Sequence, residues 1–127
     1  MLDKGDSVGL VACSDGFPNE NHEVIEEVEN SLYDMGYNSV VGNIYRTEEN
    51  RTLGCKERAE VLNEMIRNPE IKVIFDISGG DSANEILDYV DYDMLEENGK
   101  PVFGYSDLTT LLNAIYCRQG FAHICTR

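Results

Sequence analysis

Ser106 stands in the run Gly104-Tyr105-Ser106-Asp107, between the apolar Pro101-Val102-Phe103 and a stretch whose Leu108, Leu111, Leu112 and Ile115 recur at helical spacing. A serine at a tight strand-to-helix turn stands clear of the sheet. Its hydroxyl then lies beside the positive end of the helix and near free backbone N–H groups, as a hydrolytic nucleophile requires. Ser and Asp are also the residues that begin helices, so the turn taken alone reads as a nucleophile or as an N-cap. A second run, Ser78-Gly79-Gly80-Asp81-Ser82, has two glycines with no side chains to block a ligand. A backbone N–H there, with that of Asp107, could hold the oxyanion formed when Ser106 attacks a carbonyl. The same glycine pair is equally compatible with a plain tight turn or a phosphate-cradling loop.

The residues that could activate such a serine are few. The only histidines are His22 and His123. His22 starts the first predicted helix and reads as a surface residue, and His123 reads as a structural or solvent-facing one; nothing in the sequence pairs either with Ser106. Cys13, Cys55, Cys117 and Cys125 form no CxxC pair and show no metal-ligand spacing, so they read as reduced thiols, and neither a metal nor a cofactor is expected.

The elements that must position these residues alternate between strand and helix. Ser7 to Ala12 is a short apolar run that ends in the polar turn Cys13-Ser14-Asp15-Gly16, as a buried parallel strand and its outgoing loop do. Asn19 to Met35 is predicted as a helix with Val24, Ile25, Val28, Leu32 and Met35 on its apolar stripe and Gly36 as its C-cap. Ser39 to Val41 is a second strand. Gly42 to Gly54 is a polar, mixed loop placed to contact ligand. Lys56 to Arg67 is a helix stopped before Pro69, and Ile71 to Ile77 runs apolar, as a central strand covered on both faces should. Ser82 to Leu87 begins a helix, Tyr92 to Glu97 forms another, and Pro101 to Gly104 is the last strand. The fold class is α/β: an open, mostly parallel sheet with flanking helices, of the flavodoxin- or Rossmann-like three-layer kind. In such a sheet the functional crevice lies beyond the carboxyl ends of the strands, where the loops at 13–16, 78–82 and 105–107 converge.

Composition limits the partners. The 127 residues suit one domain, and 24 acidic against 10 basic residues give a formal charge of −14. That field opposes polyanions, so nucleic acid is not an expected partner. The first residues lack the basic and apolar regions of a signal peptide, and no run is long enough to span a bilayer, so a cytoplasmic, membrane-free location is expected.

Several ordered stretches together resemble the N-terminal half of the LD-carboxypeptidase family of serine peptidases. They are Lys4-Gly5-Asp6-Ser7-Val8-Gly9-Leu10-Val11-Ala12, Arg58-Ala59, Asn68-Pro69-Glu70-Ile71-Lys72-Val73-Ile74, Ile77 through Leu87, Leu95, and Gly104 through Leu112. Gly79-Gly80-Asp81-Ser82-Ala83-Asn84-Glu85 looks more like the microcin C immunity branch than the murein-recycling branch, where an Arg-Gly-Gly-Tyr-Gly type of loop is usual. The resemblance implies a metal-free Ser-His-Glu peptidase that cleaves an amide bond next to a carboxyl-terminal residue. Ser106 matches the nucleophile, and Gly80 and Asp107 match the backbone oxyanion donors. Gly79, Asp81, Ser82 and Asn84 lie where they could touch substrate, although Asp81, Ser82 and Asn84 also suit helix capping. The implied substrates are a murein peptide or an aminoacyl-nucleotide.

The family takes its Glu and His from a C-terminal domain, whereas here Gly120-Phe121-Ala122-His123 is followed only by Ile124-Cys125-Thr126-Arg127. The expectation is therefore one nucleophile domain over residues 1–127, nearly inactive alone, because an isolated serine is a poor nucleophile without its base. A homodimer is expected, joined through a face that would otherwise meet a second domain. A noncatalytic ligand-binding or dimerising module and a small phosphate-binding domain using the Ser14 loop are the alternatives.

Overall fold

The computed structural model describes residues 3–14, 16, 22–45, 49, 51–77 and 83–104, the side chains of Ala83 and Asn84 excepted. Over that range the order is β1 (Ser7–Val11), α1 (His22–Asp34), β2 (Asn38–Val41), α2 (Cys55–Arg67), β3 (Ile71–Asp76), a 3-10 helix (Ala83–Tyr89), α3 (Tyr92–Asn98) and β4 (Val102–Phe103). The four strands form one sheet in the order β2-β1-β3-β4, every neighbour parallel. The expected open α/β sheet is thus present, and the apolar run at Ile71–Asp76 occupies an interior position beside β1.

The chain crosses from β1 to β2 in one direction and from β2 to β3 in the other, so right-handed connections put α1 and α2 on opposite faces. The core divides accordingly. On one face Ala59, Leu62, Met65 and Ile66 of α2 pack with Val11, Ile71, Ile74 and Val102, and Ile86, Val90, Tyr92 and Leu95 extend that layer. On the other, Val28 and Leu32 of α1 lie against Val8, Leu10, Val73, Phe75 and Phe103, and Ile25 meets Ala12 and Ile44. The interior strands β1 and β3 are mostly apolar because both faces are covered, whereas the edge strand β2, Asn-Ser-Val-Val, is half exposed. Phe75 and Phe103 stack across β3 and β4 with centroids 5.1 Å apart, which adds a directional contact to the burial.

Two places show how local sequence sets the geometry. Gly36 has φ +96°, and its N–H donates to the Tyr33 carbonyl at 2.9 Å, which ends α1 as the sequence predicts. At Gly42 a Cβ would sit 2.5 Å from Val61 Cγ1, so the exit of β2 passes α2 only because it has no side chain. β3 also contains a bulge: Ser7 pairs with Ile71 but Val8 pairs with Val73. The extra residue, Lys72, points outward, and Ile71 and Ile74 thereby share the α2 face.

Three expectations are corrected. Val24 and Met35 do not belong to the buried stripe: they are 47% and 56% exposed. The inward stripe is Ile25, Val28 and Leu32; Val24 lies about 100° round the helix from Ile25, and Met35 falls past the helix end. The segment after the glycine loop is wound as a seven-residue 3-10 helix rather than an α-helix, with Ile86 fully buried against α2.

Candidate active site

Because all four strands run the same way, their carboxyl ends share one edge, and the loops leaving β1, β3 and β4 begin together there. The positions are fixed by hydrogen bonds at the strand ends. Ile77 N–H donates to the Val11 carbonyl at 3.0 Å, and Gly42 N–H donates to the Leu10 carbonyl at 3.0 Å. One step further on, the Cys13 N–H donates to Oδ2 of Asp76 at 2.6 Å. Both residues are buried, so the carboxylate at the end of β3 secures the first residues of the loop leaving β1.

From the opposite side that loop is held by Arg58, in the first turn of α2 and only 4% exposed. Its Nη1 donates to the carbonyls of Cys13 at 3.1 Å and Ser14 at 3.0 Å, its Nε donates to Leu53 O at 2.9 Å, and its Nη2 reaches Oε1 of Glu85 at 2.7 Å. A guanidinium taken out of water needs this many partners, and its planar fork can serve several at fixed angles where an ammonium could not. Glu85 lies on the 3-10 helix just past the glycine loop and is about half exposed. One side chain therefore joins the exit of β1, the approach to α2 and the segment downstream of Gly79-Gly80.

Ser14 is fully buried, and its carbonyl, like that of Cys13, is turned to a guanidinium. The Cys13 N–H, a donor that a phosphate-cradling loop would offer, is given to Asp76. An apolar hollow of about 360 Å³ opens between α1 and the β3–β4 half of the sheet; Leu10, Leu32, Phe75 and Phe103 line it, with Asp76, Ile77 and Gly104. Among the described residues, no three His, Cys, Asp or Glu side chains are grouped so as to hold a metal ion, and no helix is long and apolar enough to cross a membrane.

Of the residues singled out from sequence, Ser106 and Asp107, Gly79, Gly80, Asp81, Ser82 and also His123 lie outside the described residues. Asn84 lies in the 3-10 helix, its side chain outside the description. His22 is the exposed first residue of α1. What the sequence reading missed is the support beneath the crevice: Asp76, Arg58 and Glu85. Asp76 ends an apolar strand at the sheet edge, where a carboxylate has no apolar reason to be, and that was its one sequence signal.

A four-stranded, all-parallel sheet with helices on both faces and its strand carboxyl ends on one edge defines an open, doubly wound α/β domain. The chain belongs to the LD-carboxypeptidase family: the model of that family's N-terminal domain matches residues 8–126. It is similar to the microcin C7 self-immunity protein MccF of Escherichia coli, with 41% identity over 90 residues, which is 70% of this chain and 26% of that protein. A solved structure titled as that immunity protein in complex with aspartyl sulfamoyl adenosine matches with a TM-score of 0.86 at 34% identity, over 94% of this chain and 36% of the other. A Bacillus subtilis protein named "Probable murein peptide carboxypeptidase" is 29% identical over 94% of this chain and 37% of its own length. The chain thus spans about a third of the length of the curated relatives it matches, between 26% and 37%.

Proposed function

We propose that this chain is the nucleophile-bearing domain of a metal-free LD-carboxypeptidase-type serine peptidase, and that it acts on an aminoacyl-nucleotide in preference to a murein peptide. The observation that carries this reading is the similarity to the microcin C7 self-immunity protein, joined to the Gly79-Gly80-Asp81-Ser82 and Gly104-Tyr105-Ser106-Asp107 runs, which follow β3 and β4 in the sequence.

In this reading Oγ of Ser106 attacks the carbonyl carbon of the amide. The Oγ proton passes to the histidine that the family carries on its C-terminal domain, and the carbonyl π pair moves onto oxygen. The N–H groups of Gly80 and Asp107 hold that oxyanion. Collapse breaks the C–N bond, the same histidine protonates the leaving nitrogen, and water then releases the acyl group from Ser106. Gly79, Asp81, Ser82 and Asn84 contact the substrate. Residues 1–127 act as one domain that binds substrate but does not turn it over alone; the expected state is a cytoplasmic homodimer, which sedimentation checks.

The test is hydrolysis of aspartyl sulfamoyl adenosine and of a murein peptide by residues 1–127, alone and joined to a family C-terminal domain. Turnover should need the joined form, favour the sulfamoyl substrate and vanish in Ser106→Ala. Hydrolysis that survives Ser106→Ala, or faster cleavage of the murein peptide, would overturn the reading.

A further inference from the structure

We propose that Arg58 is a positioning residue of the crevice: through one guanidinium it fixes the β1 exit, at Cys13 and Ser14, against the segment that follows the glycine loop, at Glu85. The role at the crevice rests on the reading of Gly80 and Ser106 given above; the clamp itself rests on the bonds.

Among the described residues, four hydrogen bonds of Arg58 run to three separate stretches of chain, at residues 13–14, 53 and 85, each 2.7 to 3.1 Å long. Their separations of 44, 45 and 27 residues from Arg58 for Ser14, Cys13 and Glu85 mean that no local turn holds these segments together. Burial of a charge is a weak route to stability, since an apolar side chain of similar size fills the same space without the desolvation cost. What an apolar side chain cannot do is set the distance and angle between two backbone stretches and a carboxylate, and a planar donor fork can.

Cys13 is held through both of its backbone groups, which lie in consecutive peptide units. Its N–H goes to Asp76, the last residue of β3, and its carbonyl goes to Arg58. The ends of β1 and β3 are thereby tied to α2 and, through Glu85, to the 3-10 helix. An oxyanion donor must lie within a few tenths of an ångström of its place, and a backbone donor can be adjusted only through the segments that flank it. Asp76 flanks the glycine loop on one side and Glu85 on the other, and both ends are connected through Cys13 and Arg58. Glu85 is the outer member, with its side chain 54% exposed against 4% for Arg58, so it can be removed without opening the core.

The test is amide hydrogen exchange on the 127-residue chain, comparing Glu85→Ala, Glu85→Gln and Arg58→Lys with the parent. Glu85→Ala should speed exchange over residues 12–14 and 83–87 by about tenfold or more, the effect of losing one charge-assisted hydrogen bond, and leave 59–66 and 71–75 unchanged. Glu85→Gln, which keeps an acceptor, should stay near the parent, and Arg58→Lys should resemble Glu85→Ala. Unchanged exchange at both segments overturns the clamp, and so does uniform acceleration everywhere, which would signal only lost stability. In the form joined to a family C-terminal domain, Glu85→Ala should lower kcat with KM unchanged. An unchanged kcat where Ser106→Ala abolishes turnover refutes positioning and leaves the peptidase reading standing. Turnover indifferent to Ser106 refutes that reading, while the exchange data still decide the clamp.

Discussion

Asp76 and Cys13 meet across 63 residues of sequence, the N–H of Cys13 donating to the Asp76 carboxylate at 2.6 Å. Both are buried, so the bond is sheltered from water and belongs to the floor of the crevice. Asp76→Ala leaves a buried backbone donor without this partner and should cost about 1–3 kcal/mol. Urea unfolding should show a lower midpoint with an unchanged slope. A midpoint equal to the parent would mean that water or another acceptor replaces the carboxylate.

Core burial on the α2 face should exceed any single surface contact. Leu62 is fully buried among Ile66, Ile74 and Leu95, so Leu62→Ala should cost about 2–5 kcal/mol. Val24, 47% exposed, is the matched control, and Val24→Ala should stay within about 0.5 kcal/mol. Comparable losses in the two variants would contradict the assignment of the α1 stripe to Ile25, Val28 and Leu32.

Asp91 caps α3: its side chain accepts from the Met94 N–H at 3.2 Å. Asp91→Ala should cost about 1 kcal/mol, and Asp91→Asn, also a good cap, clearly less. The ordering Asp, Asn, Ala in thermal midpoints checks the cap. Equal losses for Asn and Ala would instead assign the effect to charge, through Arg67 at 3.6 Å.

Lys100 gives the chain an alkaline signature. Its ammonium is buried before β4 and donates to the carbonyls of Met65 and Asn68 at the end of α2. Burial first, and then the charge of Lys72, lower it from 10.5 to about 8. Between those values the folded chain binds fewer protons at this site than the unfolded chain, so stability rises with pH across the window and is flat with respect to Lys100 below it. The difference between parent and Lys100→Met, followed by urea unfolding from pH 7 to 10.5, should grow in favour of the parent as pH increases. A constant difference would show that the two carbonyls hold the ammonium charged.

The sequence made the frame legible wherever a feature repeats or stops sharply. The apolar run at Ile71–Asp76, the stripe of α2 ended before Pro69 and the glycine that ends α1 each follow from period or from a single residue's backbone preference. The 3-10 winding of Ala83–Tyr89 was not legible, because one buried isoleucine and a pair of acidic residues suit either helix, and packing on α2 decides. Nor was the bulge at Lys72, which depends on register with β1. Arg58 and Glu85 were legible only as members of a familiar string. Their partnership is made by topology, and a charged residue early in a helix carries no local sign that it will be buried.

The pairing order of the sheet also governs how the domain is born. β1 is synthesised first, yet one of its two neighbours, β3, follows some sixty residues later, and every link beneath the crevice joins parts of the chain at least 27 residues apart except Arg58 to Leu53. A ribosome releasing this polypeptide exposes Val8, Leu10 and Val11 long before anything can cover both faces of them. Long loops must close before those contacts form, which makes folding slower than for a chain held by local contacts. The carboxyl edge of the sheet is consequently completed late: the link from Arg58 to Glu85 cannot close until residue 85 has emerged, and β4 joins the sheet only after residue 103.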